Sequence, residues 1–249
     1  MHPNSTRVAN VGERLVILGT IHVDPSSVSQ AGEIVARLKP SVVALELDES
    51  RYRALRTDPE VARRMRREHG DRVTWSGVPI LLISLLERFA GNLTGSPPGK
   101  EMVRAADEAR RVGAILSLID LPIDRTIGML KTIPLNEKLK LVADSLASLV
   151  VMPFGGGREN LGELADGVMN HLDTFRGRYP VLSRLLIDTR EEHMVDQIKN
   201  LLDGTSGKVV VIVGLGHMAS LAKKLAGYPT TFDVGRGYRV GSSWTIATY

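Results

Sequence analysis

The chain has 249 residues, of which 43% are hydrophobic and 24% charged, with a formal net charge of +4 and no cysteine. This composition is typical of a globular protein with ample core-forming material. The lack of cysteine excludes disulfides, thiolate nucleophiles and iron–sulfur clusters, so any metal site must use His, Asp or Glu.

Charge and hydropathy also bear on location and partners. No apolar run reaches the roughly 18 residues of a membrane span, and the N-terminus lacks the pattern of a signal peptide. We therefore expect a soluble, cytoplasmic chain in which membrane association is not encoded. Arginines cluster between Arg51 and Arg72. Since no interleaved aromatics or nucleic-acid motif accompany them, a solvated helix face is favoured and no nucleic-acid partner is expected.

The first predicted unit is β-α-β. Residues 1–12 are a polar lead-in, and Leu15–Leu18 is an apolar run that predicts a buried strand. A turn over Gly19–Asp24 carries His22, and a helix over Pro25–Leu38 leads to a second buried strand over Val42–Leu47. We expect these two strands to be parallel and joined by a right-handed crossover.

Glu46 interrupts the second strand at its C-terminal end, between two leucines. A carboxylate in such a place needs a partner. One interpretation is a buried Glu paired with an arginine, such as Arg51; the other is a metal ligand or general base near His22. Asp48 is predicted to be the N-cap of a helix that begins at Glu49.

The segment from Pro59 to Ala90 has a helical pattern and is followed by a loop to Gly99. A helix over Lys100–Val112 is predicted to end at Gly113, in the usual C-cap position. Ala114–Ile119 then predicts a third buried strand. It ends in Asp120, a second acidic residue just past a strand.

Most of the middle of the chain, from Pro134 to Asp203, has helical periodicity. His171 lies on an apolar helix face, where a core role is favoured over a ligand role. In the predicted helix Pro180–Leu202, Arg190 and Glu191 fall on the two flanks of the apolar stripe. Arg190 either points into a site or extends along the surface to water.

The last predicted β-α-β unit has strands over Lys208–Val213 and Thr230–Val234, and residues 235–249 predict a final strand near a sheet edge. The pattern predicts an α/β fold: a central, largely parallel sheet with flanking helices and a helical middle insertion. We expect one domain over residues 1–249. Its core strands lie near 14–48, 114–120 and 208–249, and the insertion covers about 59–112 and 122–203.

Four chemistry-bearing residues lie at or just after the C-terminal ends of predicted strands: His22, Glu46, Asp120 and His217. This edge of an open α/β sheet is where ligands bind. If the strands are parallel neighbours, the side chains converge. Two imidazoles and a carboxylate suit a divalent metal, whose bound water would hydrolyse an amide or ester. A second carboxylate would move protons and an arginine would stabilise an oxyanion.

A competing motif overlaps this turn. Gly214–Ala219 matches G-x-G-x-x-A after a strand, and Asp233 lies near the distance expected of a ribose-binding acid. Only about 35 residues remain after it, whereas the dinucleotide-binding unit normally begins a longer series of strands. Dinucleotide binding is therefore a remote alternative.

Three motifs together resemble the TraB family, the TraB/PrgY/Tiki group: Gly19-Thr20-Ile21-His22, the stretch Val43–Tyr52 that contains Glu46, and Gly214-Leu215-Gly216-His217. Two further stretches resemble archaeal and bacterial members. They are Pro98–Met102 leading to Leu118–Asp120, and Arg190–Met194. One departure is Leu121-Pro122, where the family usually has Arg-Asp.

The resemblance implies a fold similar to the erythromycin-esterase/ChaN-like group and an activity similar to the Tiki metalloproteases. It implies a divalent metal, Mn²⁺ or Co²⁺ rather than Zn²⁺, at His22, Glu46 and His217, with Arg51, Asp120 and Arg190 beside it. A peptide substrate or ligand follows from the link of bacterial relatives to peptide pheromones. The alternative is a non-catalytic protein that sequesters a peptide signal.

The resemblance also bears on anchoring and assembly. Some relatives carry a membrane segment after this domain. The apolar stretch Ile80–Leu86 is compatible with an interface in a homo-oligomer, although such stretches more often belong to the core.

Overall fold

The computed structural model describes residues 7–20, 25–57, 99–151, 173–229 and 244–248. Within them the chain forms one six-stranded sheet. The strands are β1 (Arg7–Val11), β2 (Leu15–Thr20), β3 (Val42–Leu45), β4 (Ile115–Leu118), β5 (Val209–Gly214) and β6 (Trp244–Thr248).

The strand order is β4-β3-β5-β2-β1-β6. In this order the neighbours β4, β3, β5 and β2 are parallel to one another. Strand β1 pairs antiparallel with both β2 and β6. Strand β5 lies at the centre and is buried along its whole length. Its continuous run of β-branched residues suits a strand that is covered on both faces.

The described residues also form eight α-helices. They are α1 (Pro25–Leu38), α2 (Glu49–Arg56), α3 (Lys100–Val112), α4 (Ile123–Leu130), α5 (Leu135–Val151), α6 (Pro180–Ser183), α7 (Thr189–Gly204) and α8 (Leu215–Leu225). A π-helical segment, Arg184–Asp188, joins α6 to α7. None of the helices in the described ranges is both long enough and apolar enough to cross a membrane.

Successive side chains of β5 point to opposite faces of the sheet, so the core has two layers. Val209, Val211 and Val213 pack with residues of α7 and α8 on one face of the sheet. Val210 and Ile212 pack on the other face with residues of α1 and α3. The sheet therefore lies between two helical layers, which confirms the predicted α/β class.

A smaller apolar cluster lies among the helices of the middle of the chain. It comprises Leu130, Ile133, Leu141, Tyr179 and Leu182, from α4, α5, α6 and the turns beside them. Glu137 ties two of these helices together, because its carboxylate accepts hydrogen bonds of 2.9 Å from the backbone N–H groups of Val181 and Leu182. These donors lie in the first turn of α6, where N–H groups lack partners within the helix.

Three predicted features differ from the structure. The supposed lead-in contains β1, which turns into β2 at Gly12 with a φ of 63°. Strand β4 is at a sheet edge rather than buried, and Ile115 is 66% exposed. The β2 and β3 strands are parallel as predicted, but β5 lies between them.

Other boundaries match. Helices α1 and α3 have the predicted ends, Gly113 is the C-cap of α3 in the left-handed conformation, and β6 lies at the edge of the sheet. The predicted helices of 59–90, the loop at 91–98, the strand at 230–234, Ile80–Leu86 and His171 lie outside the described residues. His22 and Asp233 lie outside them as well.

Candidate functional site

The C-terminal ends of β4, β3, β5 and β2 are adjacent at one edge of the sheet. Asp120 follows β4, Glu46 follows β3 and His217 follows β5. Because all four strands are parallel neighbours, the condition for convergence of these side chains is met. Strand β2 ends at Thr20, which pairs with Gly214 at the end of β5, and His22 is the second residue beyond it.

Glu46 is the centre of the site and is 8% exposed. Its Oε1 accepts a hydrogen bond from Arg190 Nη2 at 2.5 Å and lies 3.4 Å from His217 Nε2. Its Oε2 accepts from the backbone N–H of Gly214 at 2.7 Å. The interpretation that Arg51 pairs with Glu46 was wrong about the partner, since Arg190, from α7, reaches this carboxylate instead.

Asp120 holds two arginines at once, and its side chain is inaccessible to solvent. Its Oδ2 accepts hydrogen bonds of 2.6 Å from Arg190 Nη2 and Arg51 Nη2, and its Oδ1 accepts from Arg190 Nε at 3.0 Å. Burial by itself raises the pKa of Asp120, but the hydrogen bonds and charges of Arg190 and Arg51 outweigh it and lower the pKa to about 2. Asp120 is therefore a carboxylate at neutral pH.

The guanidinium group of Arg51 is held by two carboxylates but remains partly exposed to solvent. Its Nε donates to Asp48 Oδ2 at 2.5 Å, and Asp48 Oδ1 caps α2 through the N–H groups of Ser50 and Arg51, as predicted. Burial tends to raise the pKa of Asp48, yet the hydrogen bonds from Arg51 keep it below its usual value. Arg51 is 33% exposed, and its Nη1 has no hydrogen-bond partner among the described residues.

Arg190 points to the sheet edge rather than to water, and 18% of its side chain is exposed. The π-helical segment precedes it by two residues, and such a segment rotates the residues that follow relative to a regular helix. Burial disfavours the charge on Arg190, but Glu46 and Asp120 raise its pKa above the ordinary value. Arg190 therefore remains charged and bridges the carboxylates that follow β3 and β4.

His217 lies in the first turn of α8, between two carboxylates. Its Nδ1 is 3.1 Å from Glu191 Oε1, on the side away from Glu46. Glu191 is completely buried, and Ser220 and Lys224 also contact it. Sequence reasoning placed Glu191 on a helix flank and gave it no role. The signal that it missed is the spacing of His217, Ser220 and Lys224, which puts three polar side chains on one face of α8.

The predicted metal ligands fit a divalent ion in their chemistry. Among the described residues, no group of three or more His, Cys, Asp or Glu side chains is arranged to hold a metal, and His22 is outside this set. Two of the predicted ligand atoms lie in the described residues, His217 Nε2 and Glu46 Oε1, and they are 3.4 Å apart. An imidazole nitrogen and a carboxylate oxygen are donor types that divalent first-row metals accept.

Comparison with known proteins gives the family. A model of the TraB/PrgY/gumN family matches residues 5–226, a range that includes every residue of the candidate site. The chain is also similar to an uncharacterised protein of Methanocaldococcus jannaschii, at 24% identity over 220 residues. The alignment covers 85% of this chain and 53% of that protein, so the chain spans about half the length of this curated relative. The chain belongs to the TraB/PrgY/gumN family.

Proposed function

We propose that this protein is a metal-dependent hydrolase that cleaves peptides at the C-terminal edge of its parallel sheet. The observation that carries the proposal is the position of His217 between Glu191 and Glu46. With Nδ1 facing one carboxylate, Nε2 faces the other at 3.4 Å. When the lone pair of Nε2 faces this carboxylate oxygen, a divalent cation bound between the two atoms is attracted to both of them.

His22, Glu46 and His217 would hold the metal, with Mn²⁺ or Co²⁺ favoured by the resemblance to the Tiki proteins. Such an ion, when bound, supplies a water molecule with a lowered pKa and polarises a carbonyl group. The hydrogen bonds to Glu46 from Arg190 and Gly214 fix its orientation, and buried partners of this kind tune the ligands of metal sites. Arg190 thus positions Glu46.

The two arginines have different roles in this proposal. Arg190 uses Nε and both Nη atoms within the site, so it positions the carboxylates. Arg51 donates to Asp120 through Nη2, and its Nη1 is the group that would donate to the oxygen of a substrate carbonyl as negative charge develops on it. Asp120 holds both guanidinium groups in place, and its low pKa makes it a poor proton donor at neutral pH.

Of the two alternatives, dinucleotide binding fits the geometry less well. Dinucleotide binding requires backbone N–H groups of the glycine turn to face a pyrophosphate, whereas the Gly214 N–H donates to Glu46. A carboxylate at that position repels an anionic ligand. A non-catalytic peptide-binding role remains the second candidate because it requires the same sheet edge and no turnover.

The test compares the wild-type protein with His217→Ala and Glu46→Gln. We expect the wild type to bind Mn²⁺ or Co²⁺ by elemental analysis after gel filtration and to cleave members of a mixed peptide library detected by mass spectrometry. Both variants should lose metal and turnover. His193→Ala, on the same helix as Arg190 but outside the network, is the matched histidine control and should retain both.

A different result would contradict the hydrolase proposal. If the wild type neither binds metal nor cleaves peptides with Mn²⁺ or Co²⁺ added, and His217→Ala still binds peptides, the hydrolase proposal fails. The protein is then a peptide-binding member of the family.

A further inference from the structure

Glu191 is a fully buried carboxylate whose contacts come from one face of α8. Its Oε1 is 3.1 Å from His217 Nδ1. Its Oε2 accepts hydrogen bonds from Ser220 Oγ at 2.5 Å and from Lys224 Nζ at 2.8 Å. The two oxygens therefore differ in their contacts: Oε2 links α7 to α8, and among the described residues Oε1 contacts only the imidazole of His217.

The charge state of Glu191 decides which atom donates in the contact with His217. Its Oε2 accepts from the ammonium group of Lys224 at 2.8 Å and from Ser220 Oγ at 2.5 Å, so Glu191 is the acceptor member of an ion pair. An ionised carboxylate has no proton to give and accepts only. The hydrogen of this bond is consequently on His217 Nδ1.

We propose that Glu191 is a positioning residue that holds neutral His217 as the Nδ1–H tautomer and so directs the lone pair of Nε2 toward Glu46. In metal sites, a carboxylate bound to the far nitrogen of a histidine fixes both the tautomer and the plane of the ring. The use of this lone pair as a metal ligand rests on the proposed function. The tautomer itself does not.

The arrangement is more specific than a link between two helices. A link requires only that Glu191 meet some donor on α8, and Ser220 and Lys224 already supply two for Oε2. His217 is also held from the other side, since Nε2 lies 3.4 Å from Glu46 Oε1. The ring plane is therefore defined by one carboxylate on each nitrogen.

The first experiment records the two-bond ¹H–¹⁵N spectrum of histidine rings in the metal-free full chain, at a pH where the rings are neutral. The chain has six histidines, and the signal that disappears in His217→Asn identifies His217. We expect a protonated Nδ1 and an unprotonated Nε2. Glu191→Gln should change this pattern, because a carboxamide also offers an N–H that favours the opposite tautomer.

Ser220→Ala is the matched control. It removes a hydrogen bond from the same carboxylate but leaves Oε1 facing His217, so the tautomer should stay as in the wild type. Calorimetry with Mn²⁺ gives an independent readout. We expect Glu191→Gln to weaken Mn²⁺ binding by roughly 10–100-fold, the range for loss of such a partner, and Ser220→Ala to bind Mn²⁺ like the wild type.

The outcomes separate this proposal from the proposed function. A wild-type His217 that carries its proton on Nε2 overturns the proposal, and this measurement does not depend on whether any variant folds. Equal effects of Glu191→Gln and Ser220→Ala on the tautomer also overturn it, because Glu191 is then only a link between helices. If the Nδ1–H tautomer is found but the wild type binds no metal, the proposed function fails and the role of Glu191 stands.

Discussion

Asp120 is bound by two arginines from different helices. Both its oxygens are bound by guanidinium groups, and Oδ1 also accepts the N–H of Leu121 at 2.7 Å. Arg51 reaches it from α2 and Arg190 from α7, so one carboxylate fixes two elements on opposite sides of the sheet edge. Removing its charge would leave two buried or half-buried cations without their common partner.

This arrangement predicts how stability depends on pH. The folded-state pKa of Asp120 is about 2, below the value near 4 of an unfolded aspartate. Its stabilisation is therefore fully present above about pH 4 and is lost as the pH falls through the folded-state value. We expect the free energy of unfolding of the wild type to exceed that of Asp120→Asn by about 2 kcal/mol at pH 6, and the gap to close toward pH 2.

Urea denaturation of both proteins between pH 6 and pH 2 measures this gap. Asp196→Asn, at an exposed position on α7, controls for the general effect of removing one carboxylate. A gap between wild type and Asp120→Asn that is constant over this range would contradict the assignment, since it would mean that the charge of Asp120 is not the source of the stabilisation.

The sequence identified most residues of the candidate site but not how they pair. Glu46 and Asp120 were found because each is an acidic residue at the end of an apolar strand, a local pattern. The predicted partner of Glu46 was Arg51, which is near it in sequence, whereas the actual partner Arg190 is 144 residues away. Glu191 was given no role, because a charged residue on a helix flank is usually solvated and the sequence does not show which face α8 presents to it.

At the scale of elements, α8 approaches β2 very closely at Gly19. A Cβ atom added to Gly19 would lie 2.9 Å from Met218 Sδ and 3.0 Å from Leu215 Cδ1. The glycine of the first Gly-x-x-His motif is thus required by the first turn of α8, which carries His217 of the second motif. A glycine without a Cβ atom permits such a close approach of another chain segment.

Gly19→Ala should therefore destabilise the fold and disturb the site together. Overpacking of this kind costs about 1–3 kcal/mol, and the helix that must move is the one that holds His217. We expect a lower midpoint in thermal unfolding, and a change in the ring signals of His217 in the same protein.

Gly128→Ala is the matched control, because nothing lies within 4 Å of an added Cβ in α4. In a helix interior, alanine is more stable than glycine by roughly 0.5–1 kcal/mol, so this variant should unfold at the same temperature or a higher one. If Gly19→Ala behaves in the same way as Gly128→Ala, the contact of α8 with β2 is less tight than the structure indicates.

Helix ends were predictable because their signals are local. Gly113 adopts a φ of 76° as the C-cap of α3, and Asp48 caps α2 through two backbone N–H groups. Strands at the sheet edges were less predictable. Strand β1 has only five residues and a weak apolar pattern, and β4 has an apolar sequence although Ile115 is exposed. Burial of a strand depends on which neighbours it acquires, and propensity does not contain that information.

At the scale of the whole molecule, the sheet order brings the site together. The sequence predicted parallel strands and a common C-terminal edge, and these were sufficient for the convergence of Glu46, Asp120 and His217. It did not predict that β5 lies between β2 and β3, since strand order depends on long-range pairing. This order places His217 beside Glu46 and puts the end of β2, which leads to His22, on the other side of β5.

The described core consists of two large layers on the sheet and a separate cluster among α4, α5 and α6. Such a division predicts that stability is not uniform, because a small cluster with few apolar contacts opens without unfolding the sheet. Leu182, in α6, and Ile212, in β5, are both at most 1% exposed, so each is a comparable probe of its own cluster. A cavity at either site costs about 2–5 kcal/mol.

Hydrogen exchange followed by mass spectrometry distinguishes the two regions. We expect Leu182→Ala to speed exchange in α4–α6 while the amides of β5 keep their wild-type protection. Ile212→Ala should speed exchange in both regions, because the central strand is shared by the two layers and its opening approaches global unfolding. Equal acceleration of β5 by the two variants would show that the helical cluster and the sheet unfold as one cooperative unit. In that case Glu137, which ties α5 to α6, would stabilise the whole fold rather than the helical cluster alone.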